Sequence, residues 1–115
     1  MKILFIHQNF PGQFKFLAPA LSDEGHEVVA LKMSSTKVNT KDIKVVNYKV
    51  TRGSSENTHP WIADLEAKTI RAEACFRAAY KLKQDGFYPD IVIAHSGWGE
   101  SLFIKKIWPK TKLGI

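Results

Sequence analysis

The chain has 115 residues, of which 44% are hydrophobic, and this size suits one compact domain with a real core rather than two domains. Seventeen basic and eleven acidic residues give a formal net charge of +6, which favours polyanionic partners and suits peripheral contact with an anionic membrane. The basic residues are dispersed and no aromatic-and-basic RNA motif occurs, so specific nucleic-acid binding is not expected. Cys75 is the single cysteine and excludes a disulfide framework, and no apolar run is long enough for a signal peptide or membrane span. A soluble, cytoplasmic protein is expected.

The first half of the chain predicts three strands and one helix. An unbroken apolar run at 2–7 is typical of a strand that is buried on both faces of a parallel sheet. Apolar residues at helical spacing predict a helix over 12–24, and Pro19 is expected to bend it or shift its start because proline lacks a backbone donor. Two β-rich runs, at 26–33 and 42–50, predict the second and third strands.

The second half predicts a long helix followed by three short elements. Pro60 is suited to the first turn of the helix, which is expected to end near Asp85. Its predicted buried stripe consists of Ile62, Leu65, Ala72, Cys75, Phe76 and Ala79. Its predicted supporting ion pairs, four residues apart, are Asp64 with Lys68 and Glu73 with Arg77. The three later elements are a buried strand at 90–95, a short helix at 99–108 and a further strand at 112–115.

This order of elements indicates an α/β fold with a Rossmann-like, open and mainly parallel sheet that has helices on both faces. Right-handed crossovers favour the strand order 3-2-1-4-5. In that order the winding reverses between the first and fourth strands. The loop at 7–13 and the loop at 95–100 then flank one crevice, where such sheets bind ligands. We call these segments the first loop and the second loop.

The first loop contains a glycine where a helix is expected to begin. Gly12 would let a main chain approach an anion, and the free N–H groups and helix dipole at that point favour phosphate. A plain Pro-Gly turn explains the same residues equally well. No G-x-G-x-x-G or G-K-[ST] motif is present, which argues against a dinucleotide site and against a P-loop. The predicted substrate-binding residues of this loop are His7, Gln8, Asn9, Pro11, Gly12 and Gln13.

The second loop places two glycines around a tryptophan directly after a buried strand. Such glycines allow close backbone approach on both sides of a large ring. His95 ends the strand, where a neutral imidazole can form a hydrogen bond with a sugar hydroxyl or a carbonyl. A histidine satisfied by a neighbouring loop is the structural alternative. His95 is the predicted catalytic residue, and the predicted substrate-binding residues are Ser96, Gly97, Trp98, Gly99 and Glu100.

The other histidines do not indicate a metal site, because no pair has the spacing that zinc ligands use. His26 lies at the opposite pole of the predicted sheet and is expected to be structural. Trp61 follows His59 and Pro60, and we expect it to anchor the start of the long helix. Stacking against an acceptor is the alternative for this ring.

Both loops and their flanking segments resemble the bacterial family 4 glycosyltransferases. The likeness is carried by residues 3–14, 17–21, 25–28 and 95–103. Residues 34–58 carry little of it, and Ser96 stands where close relatives are expected to have proline.

The resemblance implies a GT-B enzyme, in which two Rossmann-like domains face a cleft. Residues 1–115 would be the N-terminal, acceptor-side domain, inactive alone, and the apolar strand at 112–115 suggests that the chain is truncated before a C-terminal donor-binding domain. The implied reaction is metal-independent transfer, with retained configuration and without a cofactor, from a nucleotide-sugar to an acceptor. Gly12 would lie near the donor diphosphate and His95 near the transferred sugar. A freestanding sugar- or nucleotide-binding module without catalysis is the alternative.

Overall fold

A computed structural model describes residues 1–33, 42–51, 53, 55–95 and 99–114. Its five strands form one parallel sheet in the order β3-β2-β1-β4-β5, so the predicted fold class and strand order are confirmed. The strands are β1 (Lys2–Ile6), β2 (Glu27–Lys32), β3 (Lys44–Asn47), β4 (Ile91–Ala94) and β5 (Lys112–Gly114). Ile115, with which the last strand was predicted to end, lies outside the described residues.

Side chains of β1 alternate between two buried cores, one on each face of the sheet. Leu4 and Ile6 belong to the core that the long helix covers. Ile3 and Phe5 belong to the core on the other face. Because both faces are covered, the strand is apolar throughout rather than alternating with polar residues.

The predicted helix over 12–24 consists of two separate pieces. A 3-10 turn occupies Gly12–Phe14, and the helix α1 spans Leu17–Asp23. Pro19 is therefore in the first turn of α1, where a backbone N–H has no partner inside the helix and its loss costs little. The start of the helix is shifted, as Pro19 predicts.

The long helix α2 spans Pro60–Gln84 and has the predicted ends. His59 caps it, since its Nδ1 accepts a hydrogen bond from the Trp61 backbone N at 3.1 Å, and the C-cap residue is Asp85. Both predicted ion pairs form, with Lys68 Nζ at 2.9 Å from Asp64 Oδ2 and Arg77 Nη2 at 3.6 Å from Glu73 Oε2.

The first two turns of α2 project beyond the sheet. The helix has 25 residues and is about 37 Å long, whereas the five residues of β1 span about 17 Å. Trp61 is 90% exposed, Leu65 60% and Ile62 54%. The predicted anchoring by Trp61 and the predicted burial of Ile62 and Leu65 are therefore wrong. Helical spacing identifies the apolar face of a helix but not how far the sheet beneath it extends.

The predicted helix over 99–108 is shorter in the structure. The helix α3 spans Ile104–Ile107, and residues 99–103 form turns before it. Trp108 follows α3 and is buried, with its Nε1 donating a hydrogen bond to the Phe87 carbonyl at 3.2 Å. The helix α3 packs against α2.

Candidate functional site

Two histidines meet where the sheet changes its winding direction. His7 follows β1 and His95 follows β4, and these neighbouring strands pair in register up to Ile6 and Ala94. The His95 backbone N donates a hydrogen bond to the Ile6 carbonyl at 3.0 Å. The two imidazole ring centroids are 5.2 Å apart, with the rings at 77°. The structure therefore brings together the ends of β1 and β4 and the histidines that follow them, as the strand order predicts.

Gly12 lies directly against the imidazole of His7. Its φ is +46°, a left-handed conformation that side chains rarely adopt. An ideal Cβ on Gly12 would lie 2.8 Å from His7 Nδ1 and closer still to Cε1 and Nε2. The missing side chain thus makes room for His7, and this ring in turn lies against His95. Gly12 and His95 are consequently in one cluster.

His7 is held as a neutral imidazole. It is 7% exposed, and its Nδ1 accepts a hydrogen bond from the Asn9 backbone N at 3.0 Å. Burial lowers the pKa of His7 below its ordinary value of 6.5, and the electrostatic effect of the neighbouring His95 lowers that pKa further. With Nδ1 used as an acceptor, the proton of the neutral ring belongs on Nε2.

Phenylalanines fix the first loop to the core. Phe10 and Phe14 are buried, and their ring centroids lie 6.1 Å and 4.9 Å from that of Phe5. Between them, Pro11 is half-buried and the Phe14 backbone N donates a hydrogen bond to its carbonyl at 2.7 Å. Of the polar residues predicted to contact substrate, Gln8 is half-buried, whereas Asn9 and Gln13 are exposed.

The electrostatic part of the Gly12 prediction needs correction. Gly12 begins a 3-10 turn of three residues and not an α-helix. A macrodipole requires several aligned turns, so its contribution at this point is small. Anion binding here would depend on individual backbone N–H groups.

The second loop packs tightly against α2 where it returns to the core. Ser96, Gly97 and Trp98 lie outside the described residues. Gly99 has a φ of +97°, and an ideal Cβ on it would lie 2.5 Å from the Lys68 carbonyl oxygen. Its missing side chain therefore allows backbone-to-backbone approach between the loop and the helix.

Glu100 joins the second loop to two other elements. It is 2% exposed, and the Tyr48 hydroxyl donates a hydrogen bond to its Oε2 at 2.5 Å. Its Oε1 lies 3.8 Å from Arg71 Nε. Tyr48 directly follows β3 and Arg71 belongs to α2, so the carboxylate connects both to the loop. Glu100 was predicted to contact substrate near the start of a helix, but it is buried, and its contacts hold the start of the segment after the second loop.

Tyr48 and Arg71 were not identified from the sequence as residues of the site. Burial and the hydrogen bond to Glu100 raise the pKa of Tyr48 well above its ordinary value, so the phenol stays protonated and keeps donating. A usable signal existed, because Tyr48 lies two residues after Val46 and shares its face of the sheet. A buried tyrosine needs a hydrogen-bond partner, which predicts an acceptor nearby but not its identity.

The described residues offer neither a metal-binding cluster nor a membrane-spanning helix. Among those residues, no group of three or more histidine, cysteine, aspartate and glutamate side chains is placed to hold a metal ion. Within the same residues, no helix combines the length and apolar character needed to cross a membrane.

Sequence comparison then decides the family. A family model described as the glycosyl transferase family 4 group matches residues 24–115, most of the chain. The chain belongs to this family. The resemblance noted from the sequence is thereby confirmed, and the family indicates transferase activity for the full-length protein. The matched segment contains the second loop, Tyr48 and Arg71, and it begins after the first loop.

This glycosyltransferase domain was also compared with curated proteins and with solved structures. A search of the curated proteins found no match. Among solved structures, the domain is similar to the C-terminal domain of a hydrogenase from Pyrococcus furiosus, with a TM-score of 0.60 and 14% sequence identity. The match covers 99% of this chain and 90% of that one. At this identity the likeness shows the fold alone.

Proposed function

We propose that this glycosyltransferase domain is the acceptor-side half of a retaining, metal-independent enzyme that moves a sugar from a nucleotide-sugar to an acceptor. The observation that supports this most directly is the cluster of Gly12, His7 and His95 at the switch point between β1 and β4. Ligands of open α/β sheets bind at such points. Retention, metal independence and a separate C-terminal donor-binding domain rest on the family resemblance.

The cluster suits the charge changes of glycosyl transfer. The bond between the anomeric carbon and the diphosphate oxygen breaks while a bond to the acceptor oxygen forms, and the acceptor hydroxyl gives its proton to the leaving diphosphate. Positive charge develops on the sugar and negative charge on the diphosphate. His95 is half-buried at the strand end, where its imidazole can orient a sugar hydroxyl and stabilise the developing charge. Gly12 offers main chain to the diphosphate. His7 is a positioning residue that contacts both Gly12 and His95 and keeps them in place.

The remaining predicted contacts would lie on two sides of the crevice. The exposed side chains of Asn9 and Gln13, with half-buried Gln8 and Pro11, would border the crevice on one side. The glycine and tryptophan residues of the second loop, with Ser96, would border it on the other. Both substrates supply all the atoms that are exchanged, so the proposal includes no cofactor.

The first test is substitution of His95 in the full-length protein. Release of nucleoside diphosphate from a panel of UDP-, GDP- and ADP-sugars is measured, with and without candidate acceptors. His95→Ala is expected to lower turnover about 100-fold or more, the range for a positioned catalytic group. The free energy of unfolding of this variant should change much less than its activation free energy, because the His95 side chain is only half-buried. His26→Ala, at the opposite pole of the sheet, is the matched control. Equal turnover of the His95→Ala and wild-type proteins would contradict the role of His95.

Two measurements on the same reaction test the finer parts of the proposal. Turnover that persists in EDTA would support metal independence, whereas loss that Mg²⁺ or Mn²⁺ restores would contradict it. The product anomer, read by NMR, should match the donor anomer. A full-length protein that binds nucleotide-sugars without turning any of them over would favour the non-catalytic binding module.

A further inference from the structure

One face of α2 and the turn before α3 carry large apolar side chains in contact with solvent. The exposed members are Trp61 at 90%, Leu65 at 60%, Ile62 at 54%, Tyr80 at 47% and Phe103 at 37%. Together with the half-buried Phe76, we call them the outer stripe. The helical members recur at intervals that keep them on one side of α2. From Trp61 to Tyr80 the stripe extends about 29 Å. Thr69 and Glu73 lie between its Leu65 and Phe76 parts. Clustered exposed rings of this kind often mark an interaction surface.

Aromatic rings organise the lower end of the outer stripe. Phe76 stacks on Tyr80, with ring centroids 6.2 Å apart and 13° between the planes. Phe103 meets Phe76 edge-on, with centroids 6.5 Å apart. Beside these rings is a broad hollow of about 420 Å³, lined by Thr69, Glu73, Phe76, Phe103 and Lys106. Its wall is mainly apolar, so this surface favours hydrocarbon contact.

Positive charge adjoins these rings. Lys105 and Lys106 come two and three residues after Phe103 and are exposed, although Lys105 Nζ also donates a hydrogen bond to the Thr111 carbonyl. Glu73, which lines the same hollow, forms an ion pair with Arg77. The lower end of the outer stripe is therefore apolar and net positive.

The acidic groups at the Trp61 end are also engaged. Asp64 pairs with Lys68 at 2.9 Å. Glu66 accepts hydrogen bonds from the Ser55 backbone N and the Thr58 hydroxyl. Lys68 therefore offsets the charge of Asp64, and Glu66 is tied to the segment that precedes α2.

We propose that the outer stripe docks the protein on an anionic lipid bilayer. Aromatic side chains with adjacent lysines are favoured at the boundary between lipid headgroups and acyl chains, where rings bury and ammonium groups reach phosphates. A second copy of the chain is the alternative occupant, and the experiment below separates it from a bilayer. The proposal does not depend on glycosyl transfer, and it holds whether or not the crevice is catalytic.

Docking in this way would bring the crevice near the bilayer. Gly99 of the second loop packs against α2 at Lys68, and Leu65 lies about one turn from that contact. The exposed end of the outer stripe therefore borders the second loop.

The test measures binding of the full-length protein to vesicles by co-sedimentation. Vesicles of phosphatidylcholine mixed with phosphatidylglycerol are expected to bind it, and pure phosphatidylcholine vesicles are expected to bind it weakly. Trp61→Ser and Phe103→Ser should each lower the partition coefficient about tenfold, the effect of burying one large apolar side chain. Lys106→Gln should lower it about fivefold, the effect of one charge near an anionic surface.

Phe16→Ser is the matched control. Phe16 is 80% exposed, but it directly precedes α1 on the opposite face of the sheet. Its substitution should leave vesicle binding unchanged. Far-UV circular dichroism and urea unfolding verify that every variant is folded, which is expected because the substituted side chains are exposed.

Three outcomes would overturn the proposal. The first is absence of binding to the mixed vesicles, and the second is an equal loss of binding in Phe16→Ser. The third is a change of oligomeric state in the outer-stripe variants, seen by analytical ultracentrifugation, while vesicle binding is unaffected. That result would assign the outer stripe to contact with a second copy.

Discussion

The two loops that form the crevice are held in place by different kinds of interaction. The first loop is secured by residues close to it in the chain, namely Phe10 and Phe14 packed on Phe5 and Gly12 fitted against His7. The second loop is secured by Glu100, whose partners lie on other elements far along the chain. One wall of the crevice therefore depends on local apolar packing, and the other on a buried charge that reaches across the fold.

This difference matters because the two kinds of interaction fail differently. Apolar packing loses stability in proportion to the volume removed or forced in. A buried carboxylate with two polar partners loses more when one member is removed, since the others remain desolvated without compensation. Substitutions in the two loops can separate these contributions.

The largest effect is expected for Glu100→Ala. Removing one partner of a buried ion pair costs about 3 kcal/mol or more. We use the lower value because Arg71, the partner left behind, is partly exposed. The unsatisfied Tyr48 hydroxyl adds about 1 kcal/mol. Urea unfolding should therefore show a loss of about 4 kcal/mol. Asp64→Ala, which removes an exposed ion pair, should change stability by about 0.5 kcal/mol or less. If Glu100→Ala lost no more than Asp64→Ala, the second loop would not be held by Glu100.

A smaller loss is expected for Gly12→Ala. The left-handed backbone costs about 1 kcal/mol for alanine, and the overlap of its Cβ with His7 adds about 1–2 kcal/mol. Gly25→Ala is the control, because Gly25 has a φ of +94° but nothing within 4 Å of an ideal Cβ. It should lose about 1 kcal/mol. In a His7→Ala background, the loss of stability caused by Gly12→Ala should decrease to that caused by Gly25→Ala. An unchanged loss in that background would show that the fit between Gly12 and His7 is not the cause.

The smallest effect is a pH dependence of stability that comes from His7. Because the pKa of His7 in the folded protein is below 6.5, the unfolded chain takes up a proton more readily. The contribution of neutral His7 to the free energy of unfolding is fully present above pH 6.5. It declines as the pH falls from 6.5 towards the lowered pKa of His7, and it does not change further below that pKa. His7→Asn, whose side-chain oxygen can still accept from the Asn9 N–H, should remove this decline. Urea midpoints across this pH range measure it, with His26→Asn as the control. A decline that survives in His7→Asn would have to arise elsewhere.

Parts of this site follow directly from sequence patterns. Buried parallel strands end at one edge of a sheet, so His7 and His95 could be placed together once β1 and β4 were identified as neighbours. The limits of α2 followed from Pro60 at its start and Gly86 after its end, because these residues have strong positional preferences. Pro19 likewise predicted the irregular approach to α1.

Other parts depend on contacts that no local pattern encodes. Gly12 and Gly99 were recognised as sites of close approach, but their neighbours proved to be His7 and the Lys68 main chain. The partners of Glu100 come from β3 and α2, and their meeting requires the whole fold. Trp61 was expected to be buried because it begins an apolar face, and it is exposed because α2 is longer than the sheet.

The buried thiol of Cys75 gives the molecule an internal reporter. It is fully enclosed, and burial followed by the nearby Glu100 charge raises the pKa of this thiol far above its ordinary value. A thiol-directed alkylating reagent can therefore react with the native protein only when α2 separates from the sheet. Because these 115 residues contain a single cysteine, the rate of its alkylation reports these opening events without any engineered label.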